Sequence, residues 1–160
     1  MTKLSSEQVI EYFSRSYKAV DGLWFMKVEN RLGFNAALEL DNEVWNVLPK
    51  IQARLIKSFL RLETGSDVLL ESLMTKLELE GFKGKAEKNE NGFSITITEC
   101  PWHNLMIKSG RENLAKLVGK TICSTEYQVW ASEIEKTIKF KLKSQKCNES
   151  EHCILDFVRQ

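Results

Sequence analysis

"TIKFKLKSQKCNESEHCILDFV", residues 137–158, decides the fold. Ile138, Phe140 and Leu142 alternate with Lys139, Lys141 and Lys143, the period of a strand with one buried face and one wet face. Residues 153–158 repeat that alternation in part. Two strands, 137–143 and 153–158, joined by a short polar loop make an antiparallel hairpin. Such a loop needs no cysteines, yet "KCNESEHC", residues 146–153, sets Cys147 and Cys153 around five residues with His152 beside one of them. A disulfide clamp, a metal site and two unrelated buried thiols all fit that pattern.

Upstream the chain switches between strand and helix. In "FKGKAEKNENGFSITITEC", residues 82–100, Asn91-Gly92 is a hairpin signal, and Phe93, Ile95 and Ile97 then alternate with Ser94, Thr96 and Thr98. Pro101 suits the first position of a short helix ending at Gly110. Further helices are expected at 111–118 and from about Ser124 to Glu135. The first 80 residues read as helical. Ser5 and Gln8 form a capping box ahead of Val9, Ile10, Phe13 and Tyr17. Asp21 is expected to cap a second segment, "GLWFMKVENRL", that stops at Gly33. Asp41 is expected to open a longer helix whose Val44, Leu48, Ile51, Leu55, Phe59 and Leu62 make a buried face, with a kink or new start near residue 48 imposed by Pro49. Ser66 to Glu80 carries Val68, Leu69, Leu73 and Leu77 and ends at Gly81. Helices, hairpin, helices, hairpin is an α+β order, with a mostly antiparallel sheet packed against an N-terminal set of helices. One domain is expected over 1–160, helical over 1–80 and strand- and cysteine-rich over 81–160.

At 160 residues, with 42% hydrophobic and 28% charged residues, the chain can bury a sizeable core as an ordinary soluble domain. A net charge of +1 supplies no field for nucleic acid or an anionic membrane. No apolar run approaches the roughly 20 residues of a membrane span. The start, "MTKLSSEQVIEYF", lacks the apolar segment of a signal peptide, so a cytoplasmic protein is expected. Lys50, Arg54, Lys57 and Arg61 form a basic row without interleaved aromatics, which reads as a solvated face. Glycine-rich phosphate loops, GxSxG and HExxH do not occur.

In a reducing compartment Cys100, Cys123, Cys147 and Cys153 bind metal or stay as thiols rather than pair. Each sits at the end of an expected element, where distant segments converge: Cys100 between strand and helix, Cys123 at a helix start with Glu126 one turn on, and the other two around the hairpin loop. Zinc takes four tetrahedral ligands from thiolate, imidazole or carboxylate. All four cysteines could serve, or three with His103, Glu126 or His152. The plainer alternative makes Cys100 and Cys123 small buried hydrophobes.

"CSTEYQVW" (123–130), "CPWHNLMIKSGRENLAKLVGKTIC" (100–123) and the terminal hairpin resemble the 4-vinyl reductase domain family and its uncharacterised microbial relatives, allied to aminothiazoline-carboxylate hydrolases. "DGLWFMKVENRLGFNAALELDNEVW" (21–45) resembles the N-terminal segment of those relatives. The resemblance implies a ligand-binding fold related to the Bet-three-like transport subunits and a homodimer. For the sensory members, which respond to aromatic molecules, it implies a cysteine-rich zinc site closing the pocket. Cys123, Cys147 and Cys153 match that zinc pattern, while Ser144 stands where the sensory members carry a glutamate. Cys100, in "CPW", is the fourth ligand the resemblance suggests, with Glu126 as the alternative.

Trp45 reads as core. Trp102 and Trp130 follow candidate ligands by two and seven residues and either line a cavity beside the metal or pack the core. Trp24, Glu29 and His103 complete the candidate ligand-binding set, each with a plain reading as a core or solvated side chain. Two functions follow. One is a binding or sensory module for a small apolar or aromatic molecule, passing its signal to a separate partner. The other is a zinc hydrolase or reductase-associated enzyme acting on a small cyclic substrate, with Glu29 or Glu126 as base. Four cysteine ligands would close the metal and favour binding.

Overall fold

The computed structural model describes residues 3–160. The chain divides after Asp41 into two compact units.

In the N-terminal unit α1, Ser6–Leu32, is capped as expected: the Gln8 amide N–H donates to the Ser5 hydroxyl and the Ser5 N–H donates to the Gln8 side chain. The expected break at Asp21 does not occur, and α1 runs unbroken for 27 residues. Propagating a formed helix is easy, and Gly22 alone costs only about 1 kcal/mol, too little to stop it. Gly33 ends it with φ 88°, its N–H bonded to the Glu29 carbonyl. Next comes α2, Phe34–Trp45, which begins well before Asp41 because "FNAALEL" is itself a good helix former. The Phe25 and Phe34 rings meet edge to face at 5.8 Å across the turn. α1 buries no residue fully, and Ile10, Phe13, Val20 and Trp24 are exposed along it.

The second unit runs from Asn42 to Gln160. Its helix α3, Leu48–Leu60, starts where Pro49 requires. The elements that follow are α4 (Ser66–Glu80), β1 (Lys83–Asn89), β2 (Gly92–Glu99), α5 (Pro101–Lys108), α6 (Glu112–Ile134), β3 (Ile138–Ser144) and β4 (Cys153–Arg159). A single 3-10 turn, Lys146–Asn148, fills part of the last loop. The sheet is antiparallel throughout, in the order β1-β2-β4-β3. In the β2–β4 register Phe93 faces Phe157, Ile95 faces Leu155 and Ile97 faces Cys153. The first two pairs face inward, with the Phe93 and Phe157 rings stacked at 4.7 Å. Leu69, Leu73 and Leu77 of α4, with Tyr127, Trp130, Ala131 and Ile134 of α6, close that face into the core.

Three expectations are corrected. The expected helices at 111–118 and 124–135 are one helix, α6, so Cys123 lies in its middle rather than at a start. The sheet's cover also comes from both halves: α4 from the first and α6 from the second. Finally, the stripe of Val44, Ile51, Leu55 and Phe59 is not a buried face, and Phe59 is 72% exposed. Pro49, Ala53 and Ile56 form the buried side of α3 instead. Ala53 and Ile56 join the core, and Ile51, Leu55 and Phe59 lie on the exposed side of the helix.

Candidate metal centre

Sheet register assembles the site. Because Ile97 pairs with Cys153, Cys100 emerges from β2 three residues later at the same end of the sheet. Cys100 is the residue that caps α5, and its sulfur accepts the His103 backbone N–H at 3.5 Å. Cys153 opens β4, and its sulfur accepts the Lys146 backbone N–H at 3.2 Å. Cys147 lies in the 3-10 turn between them. α6 delivers Cys123 from its middle, and it does so at close quarters because Gly119, one turn earlier, has no side chain. A Cβ at position 119 would stand 2.5 Å from Gln145 Nε2 and 3.5 Å from Cys147 Sγ. The mid-helix glycine costs about 1 kcal/mol of helix propensity.

The four thiols are free and share one electrostatic neighbourhood. Burial pushes the Cys123 thiol well up, and negative charge on Glu126, Cys100, Cys153 or Cys147 would push it further. Burial likewise takes Cys147 up to about 12, with Cys100 and Cys153 adding to it. Cys100 rises to about 11, and Cys153 also rises, in both cases mainly through burial. Without a cation the cluster is protonated at neutral pH. Among the described residues no three His, Cys, Asp or Glu side chains are already drawn to metal-holding distances. Electrostatic reach is longer than a ligand bond, so the thiols are neighbours rather than a closed tetrahedron.

The donor set suits a soft cation, and the backbone N–H groups aimed at Cys100 and Cys153 favour sulfur as thiolate. Besides the Glu126 carboxylate, three buried polar atoms of residues beside the cysteines have no hydrogen-bond partner among the described residues: His103 Nδ1, Gln145 Nε2 and His152 Nδ1. His103 shares a helical turn with Cys100.

Glu126 lies one turn past Cys123 and is buried. It is ion-paired with Lys76, whose ammonium also reaches Glu80 at 2.9 Å. That ammonium sits 5.4 Å from the Phe82 ring centre, 5.6 Å from Tyr127 and 6.0 Å from Trp130. Burial works against its charge, but Glu126 and Glu80 outweigh burial and hold its pKa well above the ordinary value. Burial moves the Glu126 carboxyl upward, and Lys76 offsets only part of the rise. As a fourth metal ligand Glu126 would have to be shared with Lys76. Sequence reasoning missed Lys76, although its signal was present: a lysine on the buried stripe of Leu69, Leu73 and Leu77. Gly119 was legible as a glycine in mid-helix; nothing local marked Gln145.

Residues 2–158 match the family model described as "Family of unknown function (DUF6125)". The chain belongs to the DUF6125 family. No curated protein and no solved structure matches it.

In this DUF6125 chain the expected aromatic residues have separate surroundings. Trp130 is fully buried, and its indole N–H donates to Ser72 Oγ at 3.1 Å. Trp102, half-buried on α5, meets Trp45 edge to face at 6.1 Å. His152 is half-buried just before β4. Trp24, exposed, and Glu29, half-buried, belong to α1 in the N-terminal unit. An open groove of about 420 Å³ runs between α4 and the first hairpin over Met74, Leu77, Phe82 and Ile97, and none of the expected ligand-binding residues lines it. No described helix is long and apolar enough to cross a membrane.

Proposed function

We propose that this DUF6125 protein is a small-molecule-binding or sensory domain whose last hairpin is tied to α6 by zinc on Cys100, Cys123, Cys147 and Cys153. One observation carries the reading: four thiols from the end of β2, the middle of α6 and the last hairpin lie within electrostatic reach of one another, two of them already accepting backbone N–H groups. Sulfur donors from distant segments suit a borderline-soft, tetrahedral ion. Four thiolates leave the metal no open position, so its role is to hold the hairpin, with binding free energy expressed as stability. The resemblance to the 4-vinyl reductase family supports a small apolar or aromatic ligand, with the half-buried Trp102 and the buried His103 of α5 as candidate recognition groups. The exposed apolar residues of α1 support self-association into a homodimer, with a separate partner receiving any signal.

Glu126 favours a second reading, a zinc-dependent hydrolase: a buried carboxyl of raised pKa one turn from Cys123 is placed like a general base. Its ion pair with Lys76 counts against that role.

The test is to purify the protein without added metal and measure zinc in the parent and in Cys147→Ser. Near-stoichiometric zinc in the parent, lost together with melting temperature in the variant, is the expected result. A parent free of metal, or one whose melting is unchanged by a chelator, refutes it. Zinc retained with a displaceable water would favour the hydrolase.

A further inference from the structure

We infer that Gln145 is a positioning residue that donates its side-chain N–H to the Cys147 sulfur when that sulfur becomes a thiolate. The inference rests on the zinc reading above and adds a residue outside the ligand set. Gln145 is 6% exposed, and its Nε2 has no acceptor among the described residues. Leaving a buried donor unpaired is costly, so such an atom points to a partner that arrives in another state. The same structure shows what stands beside it. A Cβ added at Gly119 would stand 2.5 Å from Gln145 Nε2 and 3.5 Å from Cys147 Sγ, so the amide and the sulfur both lie against the same bare position of α6.

A neutral thiol accepts hydrogen bonds weakly, whereas a thiolate accepts them strongly. A cation that displaces the proton from Cys147 therefore creates the acceptor that Gln145 lacks in its absence. Backbone N–H groups already point at the Cys153 and Cys100 sulfurs. Gln145 supplies a side-chain donor to the third sulfur. Gly119 is then required for a specific reason: any side chain there strikes the amide first.

Removing the donor has opposite consequences in the two states, which separates positioning from simple structural support. Gln145→Met keeps the length and apolar bulk of the stem but deletes the orphan donor. In chelator-treated protein it should melt at the parent temperature or above. In competition with a chromogenic chelator it should bind zinc roughly 10- to 100-fold more weakly, the usual scale for outer-shell partners. The sulfur-to-metal charge-transfer band of the cobalt-substituted protein should shift. Gly119→Ala should weaken zinc to a similar extent without lowering metal-free stability. Equal zinc affinity in parent and Gln145→Met overturns the inference and leaves the zinc reading standing. Affinity and metal-free stability falling together, with an unshifted cobalt band, also overturn it. A parent that takes up no zinc overturns both.

Discussion

Replacing Lys76 by Met would show how much the buried ion cluster contributes to stability. Lys76 is 2% exposed, and the side chains of its partners Glu126 and Glu80 are 7% and 11% exposed. Methionine keeps the stem's packing under Phe82, Tyr127 and Trp130 but strands two carboxylates in the core. Breaking a buried pair by deleting one partner costs about 3–5 kcal/mol. For a chain of this size that is a fall in melting temperature of about 10–15 °C. Sign matters for the pH dependence. In the parent the Lys76 pKa is raised, so its contribution is complete below the unfolded lysine value of about 10.4 and constant across neutral pH. In the variant Glu126 lacks its cation, and burial holds its pKa above the unfolded value of about 4.3. The variant's stability is then highest below that value and is lost as pH rises through the folded one. Urea unfolding in chelator at pH 5 and pH 8 should show the larger deficit at pH 8. Adding Glu126→Gln should recover most of it. A deficit below about 1 kcal/mol, or one equal at both pH values, would refute the claim that these charges are buried and paired.

Other substitutions test separate parts of the structure. Gly92→Ala should cost more than about 2 kcal/mol in urea unfolding, since its φ is +151° and a Cβ would run into the Phe157 carbonyl. Gly33→Ala, with φ +88° but open space around it, should cost only about 1 kcal/mol, and equal losses would contradict these surroundings. Trp130→Phe removes the donor to Ser72 and some buried volume and should cost about 1–3 kcal/mol, read by the same unfolding curve. In metal-free protein, mass spectrometry should find Cys147 alkylated far more slowly at pH 8 than free cysteine, because burial takes its pKa up to about 12 and the thiolate is the nucleophile. The rate should keep climbing up to pH 11; a rate equal to that of free cysteine and levelling off above about pH 9 would mean the thiol is exposed.

Much of the candidate site was legible as residue types but not as an arrangement. The four cysteines and Glu126 are visible in the sequence, and strand alternation around residues 95, 140 and 155 implies a hairpin sheet. Their convergence depends on the pairing of Ile97 with Cys153, a contact between segments more than fifty residues apart. Lys76 shows why burial is hard to read. On α4 it looks like an ordinary polar break in a leucine stripe, and it takes the carboxylate arriving from α6, beside Glu80 on α4 itself, to make its burial tolerable.

By itself the sequence determined the classes of element and several of their ends. The Ser5 capping box, the Pro49 and Pro101 starts, the Gly33 and Gly81 stops and the period-2 strands all act within a few residues, so a local reading recovers them. The tertiary structure alone decided where an expected helix start is passed over, as at Asp21 and near Ser124, because extending a helix costs less than breaking it unless packing demands a turn. It also decided that α3 seats itself through Ala53 and Ile56 and leaves Ile51, Leu55 and Phe59 outside. A short window shows that a side is apolar; which apolar side is buried depends on the shape of the surface it meets, and that surface is built from residues far away in the chain.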